Sequence, residues 1–134
     1  GEAVWVYPEG TITRDPDLWP MSGRTGAVRI ALESGKPLVP VAHWGVQEMM
    51  RPYKVELNLV PRKTVHVVAG APIDLDDLRE QPVTEQLLQI GTTRLLDTIT
   101  SMEAEIRGET PPDGRWNMAT GERLPVAKTP HSAR

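Results

Sequence analysis

The groups able to do chemistry crowd into one short stretch, Tyr7-Pro8-Glu9-Gly10-Thr11-Ile12-Thr13-Arg14, which holds a carboxylate, two hydroxyls and a guanidinium. The apolar run Val4-Trp5-Val6 before it reads as a buried strand. Pro8 closes that strand, because proline cannot donate to a hydrogen-bonded ladder. Gly10 permits a tight turn just beyond. A charged, polar loop past the C-terminal end of a strand is where α/β folds bind ligands. Arg24 adds a second cation close to the start of a predicted helix, where free backbone N–H groups and the helix dipole favour an anion. Taken alone, the stretch reads first as a strand-ending turn with a solvated Glu.

Other reactive groups are thinly spread. His43 and Glu48 stand five apart, but such a pair arises often by chance, and His43 is expected at a strand end in a structural role. His66 falls on a predicted strand and His131 in the C-terminal tail. Three scattered His and no Cys argue against a zinc site and exclude thiolate chemistry. A hydrolase using Glu9 with Asp15 or Asp17 has no spacing rule behind it.

The elements that must position the loop follow from periodicity. Residues 3–7 are the first predicted strand, and residues 8–22 a loop rich in Pro, Asp and Gly. Ser22 is placed to cap a helix running to Ser34, with Ala27, Ile30, Ala31 and Leu32 at helical spacing and Arg29 on the solvated face. Gly35 suits the left-handed residue that ends a helix. Residues 37–43 are a near-continuous apolar run, as in a strand covered on both faces. Strand, helix, strand at this spacing predicts a βαβ unit with parallel strands. Lys54–Val60 and Thr64–Ala69 alternate in hydrophobicity, and the short Pro61-Arg62-Lys63 link predicts an antiparallel hairpin. A helical turn is expected over Asp74–Arg79.

The clearest helix runs from Val83 or Thr84 to Arg107 and is stopped by Gly108. Its apolar stripe is Leu88, Gly91, Leu95, Thr98, Ile99, Met102 and Ile106, with Glu85, Asp97, Glu103 and Glu105 assigned to the polar side. That acidic side is wrong for a membrane-surface helix, which wants Lys or Arg there. Trp19, Met21, Trp44, Met49 and Met50 are better placed for acyl-chain or membrane contact, with core packing as the ordinary alternative. Residues 108–134 are rich in Pro, Gly and charge and read as a poorly ordered tail. The net charge of −3 argues against a nucleic-acid or general polyanion binder.

Three stretches carry a resemblance. Tyr7-Pro8-Glu9-Gly10-Thr11 is similar to the third conserved block of the glycerolipid acyltransferases, the lysophosphatidic acid acyltransferase family (PlsC-type). Gly23-Arg24-Thr25-Gly26 and the residues to Leu32 resemble the helix after that block, and Lys36-Pro37-Leu38-Val39-Pro40-Val41-Ala42 the fourth block. The resemblance covers residues 4–45 and fades after about residue 75. The family's usual Arg directly follows the Thr; here Ile12 stands there and Arg14 comes two residues later.

The resemblance implies a mixed, partly parallel α/β sheet flanked by helices. Residues 1–107 would be the C-terminal part of an acyltransferase domain and 108–134 the tail. It implies transfer of a fatty acyl group from acyl-CoA or acyl carrier protein to a hydroxyl of a lysophospholipid or glycerol-phosphate acceptor. No cofactor is implied beyond that thioester co-substrate. The acceptor-phosphate pocket would be formed by Glu9, Gly10, Thr11, Arg14 and Arg24. Arg offers phosphate a planar fork, whereas Glu9 would orient a hydroxyl or one of the two arginines. The family's catalytic block is a His, four residues and an Asp, expected upstream of Gly1, so none of the catalytic residues is expected among these 134 and the chain alone is expected to be inactive. The implied partners are the missing N-terminal segment, the two substrates and a membrane surface. The implied location is cytoplasmic, peripheral at the inner face of the cell membrane. A non-catalytic, acyltransferase-like module binding lipid phosphate or a partner is the alternative.

Overall fold

A computed structural model describes residues 2–126. Its helices and strands are α1 (Gly26–Ser34), β1 (Val41–Trp44), α2 (Val46–Met49), β2 (His66–Ala69), α3 (Asp76–Arg79), α4 (Glu85–Arg107), β3 (Arg115–Asn117) and β4 (Glu122–Leu124). The architecture mixes helices with two small strand pairs, β1–β2 and β3–β4.

The long helix α4 is the spine. Thr84 caps it, its hydroxyl accepting the Leu87 N–H at 3.2 Å, and Gly108 ends it at φ +65. Both ends agree with the expectation from sequence. Gly91 lets α1 approach closely: a Cβ there would stand 2.6 Å from Val28 Cγ1. Beside this crossing, Ala31, Leu75, Leu78 and Leu87 form a buried cluster. Arg94 forks onto the Asp77 carboxylate at 2.6 and 2.7 Å, tying α3 to α4 and holding Asp77 below the usual carboxylate range. No helix among the described residues is long and apolar enough to cross a membrane.

The sheet departs from expectation. Residues 3–7 form no strand, and Val4, Trp5, Val6 and Tyr7 are exposed. The parallel βαβ pairing therefore does not occur; both strand pairs among the described residues are antiparallel. A strand exists only where a second backbone satisfies its ladder, and β1 takes its partner from later in the chain. β1 pairs with β2 in the register Val41↔Ala69 to Trp44↔His66. β1 begins only at Val41 because Pro37 and Pro40 lack the N–H a ladder needs. Their neighbourhood still runs alongside residues 70–73, with Pro40 O accepting from Gly70 N–H and Leu38 O from Ile73 N–H.

The hairpin predicted over 54–69 is likewise not formed. Its first half makes only an isolated bridge, Met50↔Leu57, while its second half supplies β2. Alternating hydrophobicity marked a strand but could not name its partner. At α1, Thr25 rather than Ser22 occupies the cap position; the Ser22 hydroxyl donates instead to the Trp116 carbonyl. Trp116 belongs to a hairpin where a poorly ordered tail was expected. β3–β4 is held by paired charges that a composition-based reading cannot see. Residues 127–134, with His131, lie outside the described residues.

Candidate functional site

The loop 8–22 is shaped from its first residues. The Gly10 N–H donates to the Tyr7 carbonyl at 3.0 Å, and Gly10 adopts φ +70, which a side chain would resist. The Arg24 N–H donates to the Pro8 carbonyl at 2.7 Å, bringing the start of α1 back to the turn. The Arg24 side chain lies across Gly10, its Nε 3.6 Å from where a Cβ would be. Farther along, the Thr13 hydroxyl donates to the Trp19 carbonyl and accepts the Asp15 N–H. The loop is thus closed on itself.

Glu9 points behind the loop. Its Oε1 accepts the Met21 N–H at 3.3 Å, and it makes no ion pair with Arg14 or Arg24 among the described residues. The expectation that Glu9 positions one of those arginines is corrected. Its charged neighbours are Glu103 and Arg115. Burial pushes its pKa up to about 7; the Met21 N–H opposes this, Glu103 adds to it and Arg115 opposes it.

The loop is anchored from the same side by charges on α4 and the C-terminal hairpin. The Arg107 guanidinium sits between two indoles, 3.7 Å from the Trp19 ring centroid and 4.0 Å from that of Trp44. It also pairs with Glu103 at 3.1 Å. Glu103, assigned by periodicity to the polar side of α4, is buried, and that burial raises its pKa. Trp19 and Met21, candidates for acyl-chain contact, are buried in the core instead. Asp15 is buried and pairs with Arg123 at 2.9 Å, while Arg115 pairs with Asp97. An Asp15 so engaged is not poised as a hydrolytic partner for Glu9.

Arg14 lies on the opposite side. Its Nε–H donates to the Tyr53 hydroxyl at 3.3 Å, and that hydroxyl donates to the Ile12 carbonyl at 2.8 Å. An open groove of about 1220 Å³ runs here between residues 13–18 and 47–63, lined among others by Arg14, Glu48, Arg51, Tyr53, Lys54 and Lys63. The structure therefore brings Gly10 and Arg24 together, leaves Thr11 half-buried beside them and turns Arg14 toward the groove. His43 is exposed on β1 opposite Val67. Tyr53, Arg115 and Arg123 meet their partners across distant sequence, which no local spacing shows; Glu103 and Arg107 stand one helical turn apart, but only the tertiary fold buries Glu103 and sets Arg107 between Trp19 and Trp44. Among the described residues no group of His, Cys, Asp and Glu is placed to hold a metal.

The loop and the helix behind it are also what known proteins share with this chain. The family model described as Acyltransferase matches residues 1–44, spanning the loop, α1 and β1. The chain is 31% identical over 83 residues to the 1-acyl-sn-glycerol-3-phosphate acyltransferases of Salmonella typhimurium, Salmonella typhi and Escherichia coli. That match covers 62% of this chain and 31% of each relative, so the chain spans about a third of the length of the curated relatives it matches. These matches support the glycerolipid acyltransferase family. No solved structure matches the chain.

Proposed function

We propose that this chain supplies the acceptor-phosphate pocket of an acyltransferase. The enzyme would move a fatty acyl group from a thioester, acyl-CoA or acyl carrier protein, to a hydroxyl of a lysophospholipid or glycerol-phosphate acceptor. The observation that carries the reading is the closed turn at Glu9-Gly10-Thr11. Arg24 is laid across its glycine and Arg14 stands at the groove beside it, all inside the acyltransferase match. Arg14 and Arg24 would take the phosphate oxygens, and Gly10 would let the acceptor approach the backbone. Glu9, turned inward, acts by holding the loop.

The base that activates the acceptor hydroxyl is not in this sequence, where no His is followed by four residues and an Asp. In the full protein a His of that pattern, oriented by its Asp, would take the proton. The acceptor being a lipid, we place the site at a membrane surface at the inner face of the cell membrane. The exposed Val55, Leu57 and Val60 beside Lys54 and Lys63 support that placement. The absence of the His-and-Asp pattern also keeps a second reading, an acyltransferase-like module that binds lipid phosphate without chemistry.

Charge reversal tests the first reading in acyltransferase-active protein containing this chain. Arg14→Glu with Arg24→Glu should raise the KM for lysophosphatidic acid at least tenfold and leave the thioester KM unchanged. Unchanged acceptor kinetics would overturn it. The purified 134-residue chain alone should show no turnover.

A further inference from the structure

Tyr53 sits in the left-handed region at φ +60, which a bulky side chain rarely adopts. Its residue is 60% exposed, so core packing does not hold it there. What rewards the conformation is its hydroxyl. The single phenolic proton goes to the Ile12 carbonyl at 2.8 Å, which leaves the oxygen's lone pairs to accept the Arg14 Nε–H at 3.3 Å. The guanidinium carbon lies 5.7 Å from the Tyr53 ring centroid. One side chain thus grips the loop at two points, a backbone oxygen and the arginine two residues on.

Because the clamp uses Nε, it leaves the Nη1 and Nη2 edge of Arg14 without a hydrogen bond among the described residues. That edge carries two parallel N–H groups that match two oxygens of a phosphate. An arginine free on an exposed loop loses rotamer freedom when it binds, and one already held loses less. Arg51, Lys54 and Lys63 line the same groove together with Glu48 and Glu56, so its charge is mixed and the orientation of a bound anion falls to the held Arg14.

We propose that Tyr53 is a positioning residue: it holds Arg14 so that the free edge of the guanidinium meets the phosphomonoester of the acceptor in the groove between residues 13–18 and 47–63. The inference rests on the acceptor-phosphate reading above.

The test is a titration of the 134-residue chain with glycerol 3-phosphate, followed by NMR at the Arg14 Nε–Hε resonance, in wild type, Tyr53→Phe and Tyr53→Gly. Phe keeps the ring and loses the hydroxyl; Gly removes the backbone conflict and the clamp together. The expected result is a slowly exchanging Arg14 Nε–H in wild type that glycerol 3-phosphate shifts. Both variants should show a faster-exchanging Nε–H and a Kd weakened about fivefold, the size expected for immobilising one long side chain. In Arg14→Lys the Tyr53→Phe substitution should add no further loss. If glycerol 3-phosphate shifts Arg14 and both variants bind as wild type does, the Tyr53 proposal is overturned and the acyltransferase reading stands. If Tyr53→Gly binds as well as wild type while Tyr53→Phe does not, the clamp is likewise overturned. If glycerol 3-phosphate perturbs no residue of the loop or groove, both readings fall.

Discussion

The two sides of the loop 8–22 are built on opposite terms. Behind it lie charges and flat rings: the buried Asp15 and Glu103, the half-buried Glu9, and Arg107 stacked between Trp19 and Trp44. In front lies the segment 51–63, almost entirely exposed, with Val55, Leu57, Leu59 and Val60 open to solvent. Buried ion pairs tolerate little displacement, because an unpaired charge in low dielectric is costly. Exposed backbone with few contacts opens readily. A loop fixed from behind and open in front is held in shape on one side while the exposed segment on the other is free to move.

The comparison breaks most visibly at Arg107. Arg107→Ala should cost about 3–5 kcal/mol in denaturant unfolding, because it leaves the buried Glu103 unpaired and empties the space between two indoles. Tryptophan fluorescence should report the same loss; a change under 1 kcal/mol would mean that the rear is no more rigid than the front.

A smaller effect, of opposite sign, is expected at Glu9. Its pKa rises from 4.5 unfolded to about 7 folded. Between those values the folded state holds a proton that the unfolded state has released, so stability falls as pH rises through that window and the deficit is complete above it. Glu103 is shifted in the same direction and adds to the trend. Glu9→Gln should flatten this slope and stabilise the chain by about 1–3 kcal/mol at pH 8, with little change at pH 4. A pH profile that the substitution leaves unchanged would show that the folded chain does not desolvate Glu9.

The smallest expected change sharpens the contrast from the other side. Val55 is fully exposed, so Val55→Ser should alter stability by no more than about 0.5 kcal/mol. A larger destabilisation, read from the same denaturant curves, would show that the front is covered in solution.

Local signals were reliable where a residue's own backbone decides the outcome. Thr84 and Gly108 bound α4 as expected, and Gly35 ends α1 in the left-handed region. The position of the candidate loop was legible too, through Tyr7 to Thr11 and Arg24. What failed was pairing. Residues 64–69 were recognised as a strand, yet joined β1 rather than residues 54–60. Glu103 was placed on the wrong side of α4 because hydrophobic periodicity scores a charge as polar and cannot see an arginine one turn away between two tryptophans.

By itself the sequence determined the turn at Gly10, the span of the long helix and the cluster of groups that resembles an acyltransferase block. Those features depend on the φ a glycine allows, on caps and on the order of neighbouring residues, all of which act within a few positions. Tertiary structure alone decided that Glu9 faces inward to Met21, Glu103 and Arg115, that Asp15 is spent on Arg123, and that Arg14 is held by Tyr53. Apart from the Met21 N–H, twelve residues from Glu9, each of these contacts is closed across dozens of residues. Its partner is set by which surfaces fold together, and no local spacing encodes that.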